Sequence, residues 1–267
     1  MKTKFAALAA ILVGGTLSSQ AVTTVFSTDF AALSNGDLNG QTSTSGASTM
    51  AWSGDGNMDV SGGQLGTASG STIWGLLDAS SQSTINLSDE VWFSIDMRTN
   101  HNGGTNRFGI ATTQGVFDAS ATIGQRLGGV QMRLGPWNGN APDSSGSFPG
   151  ATTNGACETY TNTGWAANTW YTLVGKLSVD RSGSAADVFQ FWMVPQGSFD
   201  FNNPGTASIT MNGIDLVGPS TQFTGVVFQG NQGGNSYDNL TIAVPEPGVT
   251  LLGGLGLLAL ARRRRQS

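Results

Sequence analysis

The chain has a single cysteine, Cys157, and a single histidine, His101, among its 267 residues. One cysteine excludes an internal disulfide, so stability has to come from a packed core. His101 stands in the turn sequence His101-Asn102-Gly103-Gly104, and no serine occupies a Gly-x-Ser-x-Gly context. Nucleophilic catalysis needs a base held against a partner, so this histidine reads as a solvated turn residue. Charged residues make up only 11% of the chain. Glutamate is scarcer still, with only Glu90 and Glu158 upstream of the C-terminal region. Long apolar runs occur at the two ends alone, and no repeat of solenoid or propeller length is present.

What stands at the ends is targeting sequence. Met1 to Lys4 carries two lysines, Phe5 to Leu17 is apolar, and Ser19-Gln20-Ala21 puts small residues at the positions a signal peptidase reads. Residues 1–21 are therefore expected to be a signal peptide cut after Ala21, with the mature chain starting at Val22. At the other end Pro245-Glu246-Pro247 is followed by the apolar stretch Gly248 to Ala261 and by Arg262-Arg263-Arg264-Arg265. As a helix that stretch would span about 21 Å at ~1.5 Å per residue, short of the ~30 Å hydrocarbon core, which suits brief residence better than permanent anchoring. The four arginines stay on the cytoplasmic side and so place the rest of the chain across the membrane. Together these parts, residues 244–267, resemble the PEP-CTERM sorting signal of Gram-negative, biofilm-forming bacteria. The resemblance implies transient inner-membrane insertion and cleavage near Pro245-Glu246-Pro247 by an exosortase. It also implies delivery to the cell surface, the outer membrane or the extracellular matrix.

Between these ends lie residues 22–243, expected to form one domain. Setting aside Lys2, Lys4 and Arg262 to Arg265 leaves Arg98, Arg107, Arg126, Arg133, Lys176 and Arg181 of the 12 basic residues, whereas only Glu246 is set aside from the 17 acidic ones. The body thus carries about ten net negative charges, which argues against nucleic acid and anionic bilayer surfaces as its partners. Its dominant hydrophobic period is two: Val91, Phe93, Ile95 and Met97 form one face, Val130, Met132 and Leu134 a second. Tyr171, Leu173, Leu177 and Val179 form a third, interrupted by Gly175; Phe189, Phe191 and Met193 form a fourth, ended by Pro195. Further strands are expected over Val25 to Phe30, Ile73 to Leu77, Arg107 to Thr112, Phe223 to Phe228 and Leu240 to Val244, and helix signals are nearly absent. The pattern predicts an all-β fold, an antiparallel two-sheet β-sandwich, with a signal peptide and a short C-terminal hydrophobic helix outside it.

Phe26-Ser27-Thr28-Asp29-Phe30, the run Trp170 to Leu177, and Tyr237-Asp238-Asn239-Leu240-Thr241-Ile242 are similar to strands of concanavalin A-like, or laminin G-like, jelly rolls. The resemblance implies first and last strands side by side, and the family spans lectins, glycanases and adhesion modules. Its glycanases carry a Glu-x-Asp-x-Glu strand, and a retaining enzyme needs two carboxylates ~5 to 5.5 Å apart. No such strand occurs here, so no catalytic residue is assigned. Glu90 reads as a solvated charge ahead of its strand. Asp96 falls opposite the Phe93 and Ile95 face, where it lines an open surface or pairs with Arg98. Asp78, Asp96 and Asp118 are aspartates that could still converge in a groove. Asp55, Asn57 and Asp59 have a spacing that presents hard oxygens to calcium, but the following glycine is missing and Gly66 stands where a closing glutamate belongs. A plain Asx turn accounts for them equally, and although the resemblance implies that structural calcium is common, no cofactor is assigned.

Recognition is the remaining handle. Residues 135–169 show little strand pattern and contain Trp137, Phe148, Tyr160 and Trp165. Aromatic rings stack on sugar faces while amides take hydroxyls, so Trp137 with Asn138 and Asn140, or Trp165, forms the candidate glycan surface; the alternative is that these rings cap one end of the core. The expected function is an exported, noncatalytic surface or matrix protein with extracellular polysaccharide as ligand. A polysaccharide-active enzyme and a purely structural matrix protein are the alternatives. Replacing Arg262 to Arg265 by glutamine is expected to remove the orientation signal and leave the protein mis-sorted, measured by fractionating surface from envelope. Undiminished surface yield would contradict the reading of the tail.

Overall fold

A computed structural model describes residues 21–54, 58–67, 71–99, 106–112, 130–134, 147–151, 157–158, 166–182, 186–214, 222–230 and 234–246. The first strands are β1 (Val22–Thr28), β2 (Gly36–Asp37), β3 (Thr42–Ser45), β4 (Ser48–Gly54), β5 (Met58–Ser61), β6 (Gln64–Thr67) and β7 (Ser71–Leu77). After helix α1 (Ala79–Asn86) come β8 (Glu90–Thr99), β9 (Asn106–Thr112), β10 (Val130–Leu134), β11 (Ser147–Ala151) and β12 (Cys157–Glu158). The chain continues through β13 (Tyr171–Ser178), β14 (Asp187–Pro195), β15 (Ile209–Ile214), β16 (Phe223–Gly230) and β17 (Asn235–Pro245).

These strands form two antiparallel sheets, as the period-two pattern requires. The first runs β15-β14-β13-β8-β17-β6-β5-β2, with β1 also paired to β17; the second runs β12-β11-β10-β9-β16-β7-β4-β3. The first and last strands are neighbours, and β17 extends to Pro245. One edge of β17 is divided between two partners: Asn235 to Tyr237 pair with β6, and Leu240 to Pro245 pair with β1.

The alternating faces Phe93, Ile95 and Met97 of the first sheet and Phe108, Val226 and Phe228 of the second meet in one core. Aromatic rings fill it by edge contacts, such as Phe93 against Phe108 at 5.9 Å and Phe228 against Tyr237 at 5.1 Å. Large rings need small residues facing them. Gly175, which interrupts the third hydrophobic face, is such a place: a Cβ there would stand 2.5 Å from Phe93 and 2.9 Å from Phe189, two stacked rings. Gly75 lies under Met50 and Trp52 in the same way, and Gly225 faces backbone directly, since its Cβ would sit 1.8 Å from the Gly75 carbonyl oxygen.

The structure departs from the sequence pattern in three ways. Strands β2 and β3 are built from Gly, Asp, Thr and Ser alone, which give no hydrophobic face, and β4 to β6 carry only one or two buried apolar residues each; Ser43 is nevertheless buried and accepts a hydrogen bond from the Trp52 indole at 2.8 Å. Strands β11 and β12 lie inside the region that had little strand pattern. Helix α1 has almost no apolar stripe and is set by its ends. Asp78 caps its N-terminus, accepting from the backbone N–H groups of Ser81 and Thr49, and these hydrogen bonds, Thr49 first, hold its carboxyl down to about 2. Asn86 clamps the other end to β16, donating to the Phe223 carbonyl and accepting from the Phe223 N–H, both at 2.8 Å.

The outer face of the first sheet is closed at one end. Trp92 and Trp192 stack at 5.4 Å and are covered by Phe199 and Phe201 from the segment after β14. Glu90, expected to be solvated, accepts from the Trp92 indole at 2.7 Å and pairs with Lys176 at 2.6 Å; its neighbour's ring made it a partner. Gly225→Ala is expected to cost ~4 kcal/mol or more, because the obstacle is backbone and cannot rotate away. Gly46→Ala, at a turn with φ of 59° and open space around it, is expected to cost only ~1 to 2 kcal/mol. Urea unfolding of the two variants compares them directly.

Candidate functional site

Two places in the sandwich bring polar residues together from distant parts of the sequence. The first is where β17 is interrupted. Its pairing with β8 shifts between Asp238 and Thr241, and Asn239 takes a φ of 50°, a conformation asparagine tolerates. This irregularity turns the Asn239 amide toward Asp96, which is 4% exposed. Asp96 accepts from Thr172 Oγ1 at 2.5 Å, Asn239 Nδ2 at 2.8 Å and Gln196 Nε2 at 3.0 Å. Thr172 Oγ1 in turn accepts from the Gly197 N–H at 2.9 Å. Asp96 therefore neither lines an open surface nor pairs with Arg98. It is a buried acceptor tying β8, β13, β17 and the turn after β14 together, because that turn folds over the face where solvent was expected. Arg98 instead lies 5.0 Å over the Trp170 ring and donates to Ser236 Oγ.

Asp238 is directly opposite Asp96 in the ladder. Its carboxyl is pushed above the ordinary carboxylate range by burial first and also by the charges of Asp96 and Asp29, against the opposing pull of the Asn239 N–H. Beside it opens a cleft of about 430 Å³ lined by Ser27, Thr28, Asp29, Ser45, Asn239 and Thr241. Hydroxyls and an amide dominate this lining. Among the described residues no group of three acidic, histidine or cysteine side chains is placed to hold a metal.

The second place is on the second sheet. Its core row is Met132, Phe108, Phe228 and Ile73, all buried. One residue out of phase, the register aligns Phe148, Arg133, Arg107, Gln229 and Thr72. Two of the six basic residues of a strongly acidic body are thus register partners on adjacent strands. The next row runs Glu158, Gly150, Gln131, Gly109, Val227 and Trp74, of which Val227 and Trp74 are buried. Sequence reasoning missed this row because its members come from five strands far apart in the chain; a cross-strand pairing is the signal that would have found it.

Of the residues singled out in the sequence, Trp137, Asn138, Trp165, Asp55, Asn57, His101, Asp118, Pro247 and Arg262 to Arg265 lie outside the described residues. Asp59 is exposed on β5 and faces Asp37 across the ladder. Asp78 caps α1 and does not join Asp96 in a groove. The residues at which the two cuts are expected are adjacent: the Glu246 N–H donates to the Ala21 carbonyl at 2.8 Å, beyond the Val22 and Pro245 rung.

The family model of the PEP-CTERM protein-sorting motif matches residues 243–265. The chain carries this motif, which implies export and processing by an exosortase. No curated protein matches the chain in sequence. Among solved structures, the marine PL-14 alginate lyase from Aplysia kurodai is similar over 84% of this chain and 100% of its own, at 14% identity and a TM-score of 0.50. The alginate lyase Aly36B covers 81% and 95% at 13% identity and a TM-score of 0.47. The carbohydrate recognition domain of Emp46p covers 72% and 87% at 10% identity and a TM-score of 0.44. Likeness at these identities is of fold, and the fold is the jelly-roll sandwich.

A carboxyl held above its unfolded value binds its proton more tightly in the fold, so its contribution to stability falls as pH rises from the ordinary 3.8 through the folded value. Asp238→Asn is therefore expected to raise the melting temperature at pH 7 and to give no gain at pH 3. A gain of equal size at both values would contradict this charge balance.

Proposed function

We propose that the body is a noncatalytic glycan-binding sandwich, exported and sorted by its tail, and that its ligand is an acidic polysaccharide held at the rung where Arg133 and Arg107 pair in the second sheet. The carrying observation is the Arg133 and Arg107 pair. Like charges directly opposite each other across a ladder destabilise it, by roughly 0.2 to 1 kcal/mol. Two of the six basic residues of the body share that rung. An anion between them turns the repulsion into two charge-assisted contacts, and the arginine fork matches a carboxylate in both shape and charge. Gln229 and Gln131 are neighbours of the pair in the register, with Gly109 and Gly150 in the adjacent row. The outer side of the first sheet is covered by the segment carrying Phe199 and Phe201. Individual sites of this kind bind at ~mM to μM, and display of many copies on a surface raises the effective affinity.

A polyuronate is the glycan to test first, being a repeated carboxylate and the substrate named for two proteins of similar fold. Exported protein is expected to bind polyuronate in preference to a neutral glucan, and to bind it less as salt rises. The double variant Arg107→Gln and Arg133→Gln is expected to lose at least tenfold in affinity while keeping or gaining stability. Binding that survives the double change would overturn the site. Release of unsaturated or reducing ends from the polymer would replace the binding reading with an enzymatic one.

A further inference from the structure

Strand β1 starts where the signal peptide is expected to end, and its first rungs lie on the last residues before the sorting tail. Val22 pairs with Pro245, Thr23 with Val244 and Thr24 with Ala243. One step further out, the Ala21 carbonyl accepts from the Glu246 N–H at 2.8 Å. Both peptide regions to be cut therefore face each other on one two-stranded ladder, about 5 Å apart.

This arrangement constrains the cutting. A peptidase takes its substrate as an extended strand and bonds to the substrate's backbone. Here the Glu246 N–H is already engaged, and the strand opposite occupies the side from which the enzyme would approach. Opening is local: the β1 register shifts between Thr24 and Phe26. Beyond the shift Phe26 is fully buried in the core, whereas Thr23 and Thr24 are exposed. The three outer rungs can separate without disturbing Phe26.

We propose that residues 21–24 form a gate on tail removal, opened by signal-peptide cleavage. The inference rests on the sorting reading of the tail. Hydrolysis of the Ala21–Val22 bond adds water: the Ala21 acyl group leaves as a carboxylate on the signal peptide, and Val22 keeps the nitrogen as a new ammonium. The acceptor of the Glu246 N–H departs with the signal peptide. The last rung is then lost, the remaining three fray, and Pro245-Glu246-Pro247 becomes available to the exosortase. The order follows from this step: the signal-peptide cut removes the acceptor of the Glu246 N–H and so precedes tail removal.

The test uses the full chain in an exosortase-bearing host, with Cys157→Ser to leave no native thiol, and follows tail loss by mass spectrometry. One staple, Thr23→Cys with Val244→Cys, locks the outer rungs; a control staple, Ser27→Cys with Thr241→Cys, lies on the anchored side of the shift. The unstapled protein and the control staple are expected to lose the tail, the outer staple to lose it at least tenfold more slowly, and reductant to restore the rate. Ala21→Phe, which blocks the signal-peptidase cut, is expected to keep the tail as well. Tail loss at the unstapled rate from the oxidised outer staple would overturn the gate, as would a block that reductant does not relieve. Tail loss at that rate from Ala21→Phe would overturn the order of cuts. An unstapled protein that keeps its tail would overturn the sorting reading and the gate together.

Discussion

The structure depends on one strand finding its place last. β17 is inserted between β8 on one side and β6 and β1 on the other, so the first sheet is in two pieces until the final residues before the tail arrive. Pairings this distant in sequence carry the loop-closure cost that slows all-β folding. For an exported chain the consequence is spatial as well as temporal: the sheet closes only after nearly all of the body has crossed the membrane. The fit is tight enough that the Tyr237 hydroxyl on β17 is buried with no hydrogen-bond partner among the described residues, and burial pushes its phenol up. Packing has been favoured there over a polar contact.

Without disulfides and with few charges, stability rests on rings and on the glycines that make room for them. Phe93 and Phe189 stack over Gly175, and Trp52 with Met50 covers Gly75. A glycine in a central strand ordinarily weakens it. Under a large ring the same glycine sets the spacing of the two sheets, so the high glycine content that marks turns in the sequence also serves the core.

The sequence disclosed the parts whose physics is local. Period-two apolar runs became β8, β13, β14 and β16, because burying one face of a strand leaves that signature whatever the partner. Serine- and threonine-rich strands such as β3 left none: Ser43 faces inward as an acceptor for the Trp52 indole, and no pattern rule anticipates a hydroxyl in that place. Asp96 was read on the correct face but in the wrong medium, since a turn from residue 196 onward covers it. α1 was missed because its ends, Asp78 and Asn86, hold it by side-chain bonds to strands β4 and β16 in place of an apolar stripe. Of the candidate sites, the sorting motif was legible because such signals are read as linear sequence. The arginine pair was not, because it exists only once β9 and β10 are in register.

The two sheets thus divide their duties. The first carries the first and last strands, the acidic network at Asp96 and the aromatic lid over Trp92. The second carries the rung on which Arg133 and Arg107 pair. An acidic body is repelled by acidic polymers at long range. Screening shortens that repulsion to ~8 Å at physiological ionic strength, so a local cationic row governs contact once the chain is close. In the proposed binding mode, global repulsion with a local attractive row selects an approach of the polymer by that row alone.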